Sequence, residues 1–259
     1  MRAPLNSLAV PADWLGFAWY QATDNLKRQY NRTKLGPLWI VLTQFVMIFG
    51  IAFVYSSVFN QPINDFLPFI SASILTWNII SPTIAGATTV YVAAASMIQS
   101  FRVPVAIFPM QSIINQVIIF MHGLVIHSMM LLFVGKSLAL LPIALLMALL
   151  LAVILFPFIA VLGILSARFR DLGPAVGSFM YMAFLLSPVI WKRETLGVPR
   201  RWIVDYNPFA HMLEIVRQPM IGNWPPSFSL SVCVCMAIVS VVVGELVFRR
   251  LSRPLPFWV

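Results

Sequence analysis

The side chains considered first, because their types could do chemistry, are two histidines and one carboxylate–guanidinium pair. His122 and His127 lie five residues apart, about 140° around a helix, so they do not face one another as two metal ligands would. Glu245 precedes Arg249 by four residues, the spacing at which opposite charges meet on one helix face. These patterns favour satisfied or pore-facing histidines and a structural ion pair over a catalytic site.

The motifs of nucleotide and metal catalysis are missing. Cys233 and Cys235 stand in an apolar stretch without nearby ligands, which favours packing over a metal or redox site. The sequence has no G-x-x-x-x-G-K-[ST] phosphate loop and no H-E-x-x-H zinc motif. Its long apolar stretches lack the Asp, Glu or Lys relays on which ion-driven transporters depend. We therefore expect no metal, no cofactor and no catalytic residue on this chain. If the protein transports a cargo, its energy must come from elsewhere, most simply from a nucleotide-hydrolysing partner.

The composition makes lipid the main solvent of the surface. Of 259 residues, 60% are hydrophobic and 10% are charged, whereas soluble domains carry about 25% charged residues. Six uncharged stretches each reach the roughly 20 residues that cross a membrane, where only helices satisfy the backbone. We predict an all-α membrane protein with a cytoplasmic arm, residues 1–36, and a transmembrane domain, residues 37–259. The expected spans are 37–59, 66–97, 106–134, 138–166, 173–191 and 228–249, with a kink or break at Pro82.

The distribution of cations predicts the orientation. With both termini in the cytoplasm, the short external loops carry only Lys136, which agrees with the positive-inside rule. A tolerated exception is the long segment before the last span, which holds Lys192, Arg193, Arg200, Arg201 and Arg217. The net charge of +9 fits this topology and anionic lipid headgroups rather than nucleic acid. We expect a multi-pass protein of the bacterial inner membrane.

The cytoplasmic arm predicts an amphipathic helix over residues 13–34. Its apolar residues recur at helical spacing, and its polar residues fall on the opposite side: Leu15, Ala18, Ala22, Leu26 and Tyr30 against Asp24, Lys27, Arg28 and Asn31. Trp14 and Trp19 could anchor it at headgroup level. A helix that only rests on the membrane and one that also contacts a partner protein both remain open.

The segment between the fifth and sixth spans, about 188–226, is no ordinary loop. It follows Ser187 with Pro188-Val189-Ile190-Trp191, and Asn207-Pro208 then signals a helix start. The helix should run to about Met220, roughly 13 residues, which is too short to span. Because irregular backbone at membrane depth is tolerated only against protein or a water-filled cavity, we predict an external gate. A simple periplasmic cap is the alternative.

Several motifs together resemble one family. They are Arg28-Gln29-Tyr30-Asn31-Arg32-Thr33-Lys34-Leu35-Gly36-Pro37-Leu38-Trp39, Phe101-Arg102-Val103-Pro104 with Phe108-Pro109, Phe169-Arg170-Asp171-Leu172, Ser187-Pro188-Val189, and Tyr206-Asn207-Pro208 with Arg217. In this order and spacing, over nearly the whole chain, the sequence resembles the permease subunits of polysaccharide-exporting ABC transporters. That family exports O-antigen, capsule or teichoic-acid chains.

The resemblance implies partners and site residues. The permease would pair with a second copy and dock on two nucleotide-binding ATPase subunits that hold ATP and Mg. The ATPase-coupling interface would comprise Arg28, Tyr30, Arg32, Gly36, Arg102 and Pro104. The external gate would comprise Ser187, Pro188, Tyr206, Asn207, Pro208 and Arg217, as short re-entrant helices. Candidate channel-lining residues are Trp39, Phe45, Tyr55 and Trp77.

The function expected from this resemblance is ATP-driven export of a lipid-linked polysaccharide, with the O-antigen type favoured by Arg-Asp-Leu and Ser-Pro-Val-Ile-Trp. The alternatives are a permease for capsular polysaccharide, teichoic acid or a different cargo, such as a drug or a smaller lipid. An integral-membrane glycolipid-modifying enzyme is a different class. It should show clustered carboxylates or a His-Asp pair at a membrane face, and the sequence has neither.

Overall fold

Regular structure is helical throughout the residues that the computed structural model describes, which are 7–30, 36 and 38–259. The α-helices in this part of the chain are α1 (Ala12–Tyr30), α2 (Leu38–Val58), α3 (Ile63–Ala87), α4 (Ala95–Ser100), α5 (Ile107–Phe133), α6 (Leu141–Arg168), α7 (Leu172–Leu186), α8 (Trp202–Asp205), α9 (Pro208–Met220) and α10 (Ser227–Leu251). Single 3-10 turns lie at Arg193–Thr195, Val198–Arg200 and Leu255–Phe257. The all-helical membrane fold expected from composition is confirmed.

Five of these helices, α2, α3, α5, α6 and α10, are long and apolar enough to cross a membrane. Helix α7 has 15 residues, about 22 Å, which is less than a hydrocarbon core of about 30 Å. The predicted span 173–191 extends beyond the end of this helix at Leu186. Helix α7 ends where Ser187, which precedes Pro188, takes the extended backbone that the following proline favours (φ −94°, ψ 146°). The count of six spans stays a prediction.

The second predicted span, 66–97, is also wrong at its C-terminal end. Helix α3 continues through Pro82, so the break that was one of the two expectations there is wrong, and the helix stops at Ala87. Turns follow over 88–94 before α4 begins. Tyr91 is buried in these turns, and a Cβ at Gly163 of α6 would lie 2.9 Å from its ring. The chain thus leaves the helix where a run of β-branched residues begins and α6 approaches closely.

Helix α3 is the centre of the bundle. It packs against α2, α5, α6, α7 and α9, and nearly all of its middle is buried. Hydroxyl side chains occur there because each can donate to a carbonyl of its own helix. Thr76 donates to Ala72 at 2.8 Å, and Ser73 donates to Phe69 at 2.8 Å. Small polar residues therefore let neighbouring helices approach without leaving a donor unpaired.

The two ends of the bundle have distinct connections. At the end that we name the N/C end, Ser7 donates to Glu245 at 2.8 Å, and Gln99 donates to the carbonyl of the last residue, Val259, at 2.7 Å. At the opposite end, the loop end, Lys136 pairs with Asp65 at 2.9 Å. Both described chain ends therefore meet at one end of the bundle. The side of the membrane that this end faces stays a prediction.

Candidate functional site around a buried arginine

Asn207 joins the segment after α7 to the start of α9. Its Oδ1 accepts the backbone N–H of Phe209 at 2.9 Å, which is an N-cap, and Pro208 takes the first helical position, where no N–H is needed. Its Nδ2 donates to the Oγ of buried Ser187 at 3.0 Å. The predicted helix start and its end at Met220 are confirmed, and two motifs twenty residues apart in sequence are in contact.

Arg217 ties three parts of the bundle together. The side chain is 2% exposed. Its Nη1 donates to the Oγ of Ser73 in α3 at 3.1 Å and to the carbonyl of Pro188 at 2.5 Å. Its Nη2 donates to the carboxylate of Glu214 on α9, and the guanidinium lies over the Phe69 ring, 4.5 Å from the centroid. One residue of the predicted gate thus contacts α3, the segment after α7 and its own helix.

The charge of Arg217 is neutralised where it is buried. An unpaired charge in an apolar interior costs several kcal/mol, so a buried guanidinium needs a carboxylate and further acceptors. Glu214 supplies the carboxylate, and Gln218 donates to its second oxygen at 2.8 Å. Of the three nitrogens of this guanidinium, only Nε has no acceptor among the residues that the structure describes. The cluster is thus a neutral unit built to hold helices in place rather than to transfer protons.

A buried histidine holds the C-terminal end of α9. The Nε2 of His127 lies 2.8 Å from the carbonyl oxygen of Met220, and its Nδ1 lies 2.5 Å from the Oγ of Ser71. A carbonyl only accepts, so in the neutral ring Nε2 carries the hydrogen and Nδ1 accepts from the Ser71 hydroxyl. His127 is therefore a satisfied histidine, as expected, but its link between α3, α5 and α9 has no motif in the sequence.

A second histidine, His211, holds the N-terminal half of α9, and sequence reasoning missed it. Its Nε2 lies 3.0 Å from the carbonyl of Asp205, and its Nδ1 lies 3.0 Å from the Oγ of Ser229 in α10. The same argument makes Nε2 the donor and the Ser229 hydroxyl the donor to Nδ1. A histidine on the apolar face of a predicted short helix was the signal that could have indicated it.

Helix α9 lies beside the middle of α3. Ser73, the contact of Arg217, is ten residues beyond Ile63, or about 15 Å along the helix. The ring of Phe209 packs edge-on against Trp77, with centroids 5.9 Å apart. Tyr206, just before α9, is 85% exposed. The segment therefore combines a buried helix, α9, with an exposed stretch of chain before it. Of the predicted gate residues, it brings together Ser187, Pro188, Asn207, Pro208 and Arg217, and it leaves Tyr206 exposed.

The predicted coupling residues that the structure describes lie at the N/C end. Helix α1 packs on α5 through Ala18, Ala22 and Leu26. Between α1, the 90–97 segment and α5 lies a polar groove of about 550 Å³, whose lining includes Tyr20, Gln21, Asp24, Arg28, Gln111 and Asn115. Arg28 donates to Asp24 at 2.6 Å, and this bond raises the pKa of the exposed guanidinium. An exposed charged pair therefore lies on the rim of a polar groove.

The remaining coupling candidates are placed separately. Arg102 is exposed and Pro104 is buried, so the first can meet a partner and the second fixes the turn before α5. Gly36 has a φ of +54°, a left-handed conformation that favours glycine. Tyr30 is the last residue of α1, and Arg32 lies outside the described residues.

The four candidate channel-lining residues fall into two groups. Trp39 and Phe45 are exposed on α2, and Tyr55, half-buried on the same helix, stacks with Phe59 at 5.8 Å. Trp77 is 7% exposed and packs against Phe184 and Phe209 within the subunit. In the single chain, therefore, α2 presents aromatic residues outward, whereas Trp77 belongs to the core. Their lining role stays a prediction.

The fold and sequence together define a multi-pass membrane transport subunit. Residues 19–221 match the profile of the ABC-2 type transporter family, and the chain belongs to that family. The chain is also similar to a protein of Klebsiella pneumoniae named O-antigen export system permease protein RfbA, with 20% identity over 230 residues that cover 88% of this chain and 89% of that protein. A second K. pneumoniae protein of the same name is 20% identical over 233 residues, with the same coverage. The resemblance drawn from the motifs is confirmed.

Proposed function

We propose that this chain is the channel-forming subunit of an ATP-driven exporter that moves a lipid-linked polysaccharide, of the O-antigen type, from cytoplasm to periplasm. The observation that carries the proposal is the similarity to two O-antigen export permeases over most of both chains. The similarity therefore extends over the whole membrane domain rather than over one pair of helices. Family membership supports the coarser part, a transport subunit that works with an ATPase.

The topology that we propose has six spans, with α7 as the fifth, and both termini in the cytoplasm of a bacterial inner membrane. The N/C end carries many exposed cations in the last turns of helices and in the connections beside them, which supports a cytoplasmic position: Lys27, Arg28, Arg102, Arg168, Arg170, Arg249, Arg250 and Arg253. Helix α7 is short, but its mean composition is as apolar as that of the longer spans, and Phe179, Tyr181 and Leu185 are exposed on it.

A second copy of the chain would complete the conduit. Helix α2 buries few of its residues within the subunit, and large side chains such as Phe45, Phe49 and Phe53 face outward. Aromatic faces offer weak apolar contacts to sugar rings and tolerate sliding. Two copies that meet along such helices would enclose a passage lined by them. Trp39 and Phe45 are the positions of this helix that we assign to the lining.

We propose that the external gate is formed by α9 and the segment that precedes it, from Ser187 to Asn207. Non-helical backbone at membrane depth needs protein or a cavity beside it, and the two ends of the segment from Ser187 to Asn207 are bonded to neighbouring protein through Ser187, Pro188 and Asn207. The contacts of Arg217 and His127 would hold α9 in the closed position. Opening of the gate would then require the hydrogen bonds of Arg217 and His127 to be broken together.

Deletion of the gene tests the transport function. We expect O-antigen to disappear from the cell surface and lipid-linked polymer to accumulate inside, because assembly continues without an exit. Gel analysis of lipopolysaccharide and extraction of the lipid-linked pool measure both quantities, with the restored gene as control. Normal surface O-antigen together with loss of a capsule or teichoic acid would assign a different cargo. Normal levels of every surface polymer would refute export.

Charge reversal at Arg28 tests the coupling surface. The groove beside this residue is where we propose that the ATPase subunit docks. We expect Arg28→Glu to lower the transporter's ATPase rate several-fold, because two carboxylates then meet at Asp24 and the cationic rim is lost. The matched control is Arg253→Glu, which reverses an exposed charge at the same end of the bundle. Equal rates in both variants and the parent complex would contradict this docking site.

A further inference from the structure

The loop end carries more positive charge than the orientation of this chain requires. Three of the five cations between α7 and the end of α9 have partners. Lys192 donates to Gln61 at 2.9 Å, Arg193 pairs with Asp205 at 2.5 Å, and Arg217 pairs with Glu214. Arg200 and Arg201 are exposed, and their guanidinium groups form no hydrogen bond or ion pair with any residue that the structure describes. Two adjacent guanidinium groups are therefore available for an external anion.

The backbone around these two arginines is held in a defined shape. The Arg193–Asp205 ion pair closes the loop from one side to the other, and Lys192 ties its start to the connection between α2 and α3. Within the loop, the N–H of Arg200 donates to Gly197 at 2.9 Å and the N–H of Tyr206 donates to Trp202 at 3.0 Å. Segment 198–206 is thus a folded projection at the loop end.

Apolar and aromatic side chains are exposed beside the cations. Val198 is 74% exposed, Trp202 is 61% exposed and Tyr206 is 85% exposed. Trp224, in the turn before α10, is also exposed. Such a group of large apolar side chains is unfavourable if it faces only water. Tryptophan and tyrosine are instead enriched where the headgroups of a membrane meet water, because each has an apolar body and a polar tip.

The position of the projection fits that interface. It lies between the end of α7 at Leu186 and the start of α9 at Pro208, and Lys192 at the start of this loop is bonded to Gln61 in the α2–α3 connection at the loop end of the bundle. Anionic headgroups attract cations that lie within a Debye length of the surface. Exposed arginines next to interfacial aromatics therefore match an anionic headgroup in charge and in depth. A neutral glycan would explain the aromatics but not the two unpaired guanidinium groups.

We propose that segment 198–206 is a binding site for anionic phospholipid headgroups. Arg200 and Arg201 contact the lipid phosphate, and Trp202 and Tyr206 lie at the level of the headgroups and ester groups. The projection thereby holds the loop end at a fixed depth in the leaflet. This site does not depend on the cargo, because it concerns the lipids around the transporter rather than the molecule in its conduit.

Photo-crosslinking at Val198 tests the proposal locally. The full chain with Val198→p-benzoylphenylalanine is reconstituted into nanodiscs that contain phosphatidylglycerol and phosphatidylcholine, irradiated and analysed by mass spectrometry. We expect phosphatidylglycerol adducts several-fold above the mole fraction of that lipid, since each cation near an anionic surface favours it roughly fivefold. Arg200→Gln/Arg201→Gln should reduce the ratio to the mole fraction. Arg200→Lys/Arg201→Lys should retain most of the enrichment.

Three outcomes would overturn the proposal. Adducts that follow the mole fractions in the parent protein would mean that the arginines do not select lipid. Crosslinks to a second copy of the chain would mean that this surface is a protein interface. The absence of lipid adducts would mean that the projection lies in water. Each result is independent of export, so loss of surface polymer in the deletion strain can be observed with or without lipid enrichment at this site.

Discussion

Arg217 is the residue with the largest number of different partners in the candidate site. Its guanidinium contacts a hydroxyl on α3, a backbone carbonyl after α7, a carboxylate on α9 and an aromatic ring. Arginine suits this position because its planar group presents several donors in fixed directions, whereas lysine presents a single point charge. Loss of this side chain would therefore affect α3, the segment after α7 and α9 at once.

Replacement of Arg217 should destabilise the protein mainly through the carboxylate that is left behind. We expect Arg217→Met to lower the free energy of unfolding by about 3 kcal/mol, because Glu214 then remains charged in a largely buried position. In Arg217→Met/Glu214→Gln the unpaired charge is gone, so a large part of the loss should be recovered. Thermal unfolding of detergent-purified protein, followed by fluorescence-detected gel filtration, measures the order of the variants.

The Arg193–Asp205 pair offers a matched control for that experiment. Both of its side chains are substantially exposed, so Arg193→Met should change the free energy of unfolding by less than about 1 kcal/mol. If the single and double variants at Arg217 and Glu214 unfolded at the same temperature, the carboxylate would not be the source of the loss.

At two points the chain packs closely against α6 because a glycine there has no side chain. A Cβ at Gly244 in α10 would lie 2.5 Å from the Cβ of Pro157 in α6 and 3.4 Å from its Cα. A pyrrolidine ring cannot rotate away, so this glycine lets α10 lie directly on α6. The same principle applies where Gly163 meets the turns after α3. Small residues at such crossings are typical of membrane helices.

Alanine at Gly244 should therefore separate α10 from α6. We expect Gly244→Ala to destabilise the protein by about 1–3 kcal/mol, the usual range for an overpacked contact. Gly177→Ala is the matched control, since a Cβ there meets no atom within 4 Å in the exposed face of α7, and alanine in a helix should be neutral or slightly stabilising. Thermal unfolding of the two variants measures the difference, and equal unfolding temperatures would disprove the packing argument.

The whole molecule is organised by its two ends. The N/C end holds both described chain ends, the polar groove and most of the exposed cations. The loop end holds the segment with α9 and the projection around Arg200. A machine driven from one side and opened at the other requires such a division, and under our proposal the ATPase acts on the N/C end while the gate opens at the loop end.

Cysteine labelling in intact cells tests this orientation. In a background with Cys233→Ala and Cys235→Ser, we expect Glu194→Cys, exposed at the loop end, to react with a membrane-impermeant maleimide. Phe169→Cys, at the N/C end, should react only after the membrane is permeabilised, because the reagent cannot reach the cytoplasm. Labelling of Phe169→Cys alone in intact cells would invert the topology. Labelling of both would exclude an even number of spans.

Much of the fold could be predicted from the sequence because lipid imposes strong local rules. Uncharged stretches of sufficient length must become helices, and Asn207-Pro208 starts a helix by capping chemistry that acts within three residues. These rules placed most long helices and located α9 and its length, whereas the family was indicated by a resemblance in the order and spacing of several motifs. They failed at Ala87 and Leu186, where the backbone leaves the helix within an apolar stretch that hydropathy treats as uniform.

The tertiary structure alone decided how the polar groups pair. Arg217 meets Ser73 across 144 residues, and His127 meets Met220 across 93 residues, distances in sequence that no local pattern covers. Their partners are a serine and a backbone carbonyl, groups that occur throughout the chain and carry no distinguishing signal. Hydropathy thus determines which segments enter the membrane, whereas the burial of a charge or a ring nitrogen requires a particular partner that only packed helices can bring within hydrogen-bonding distance.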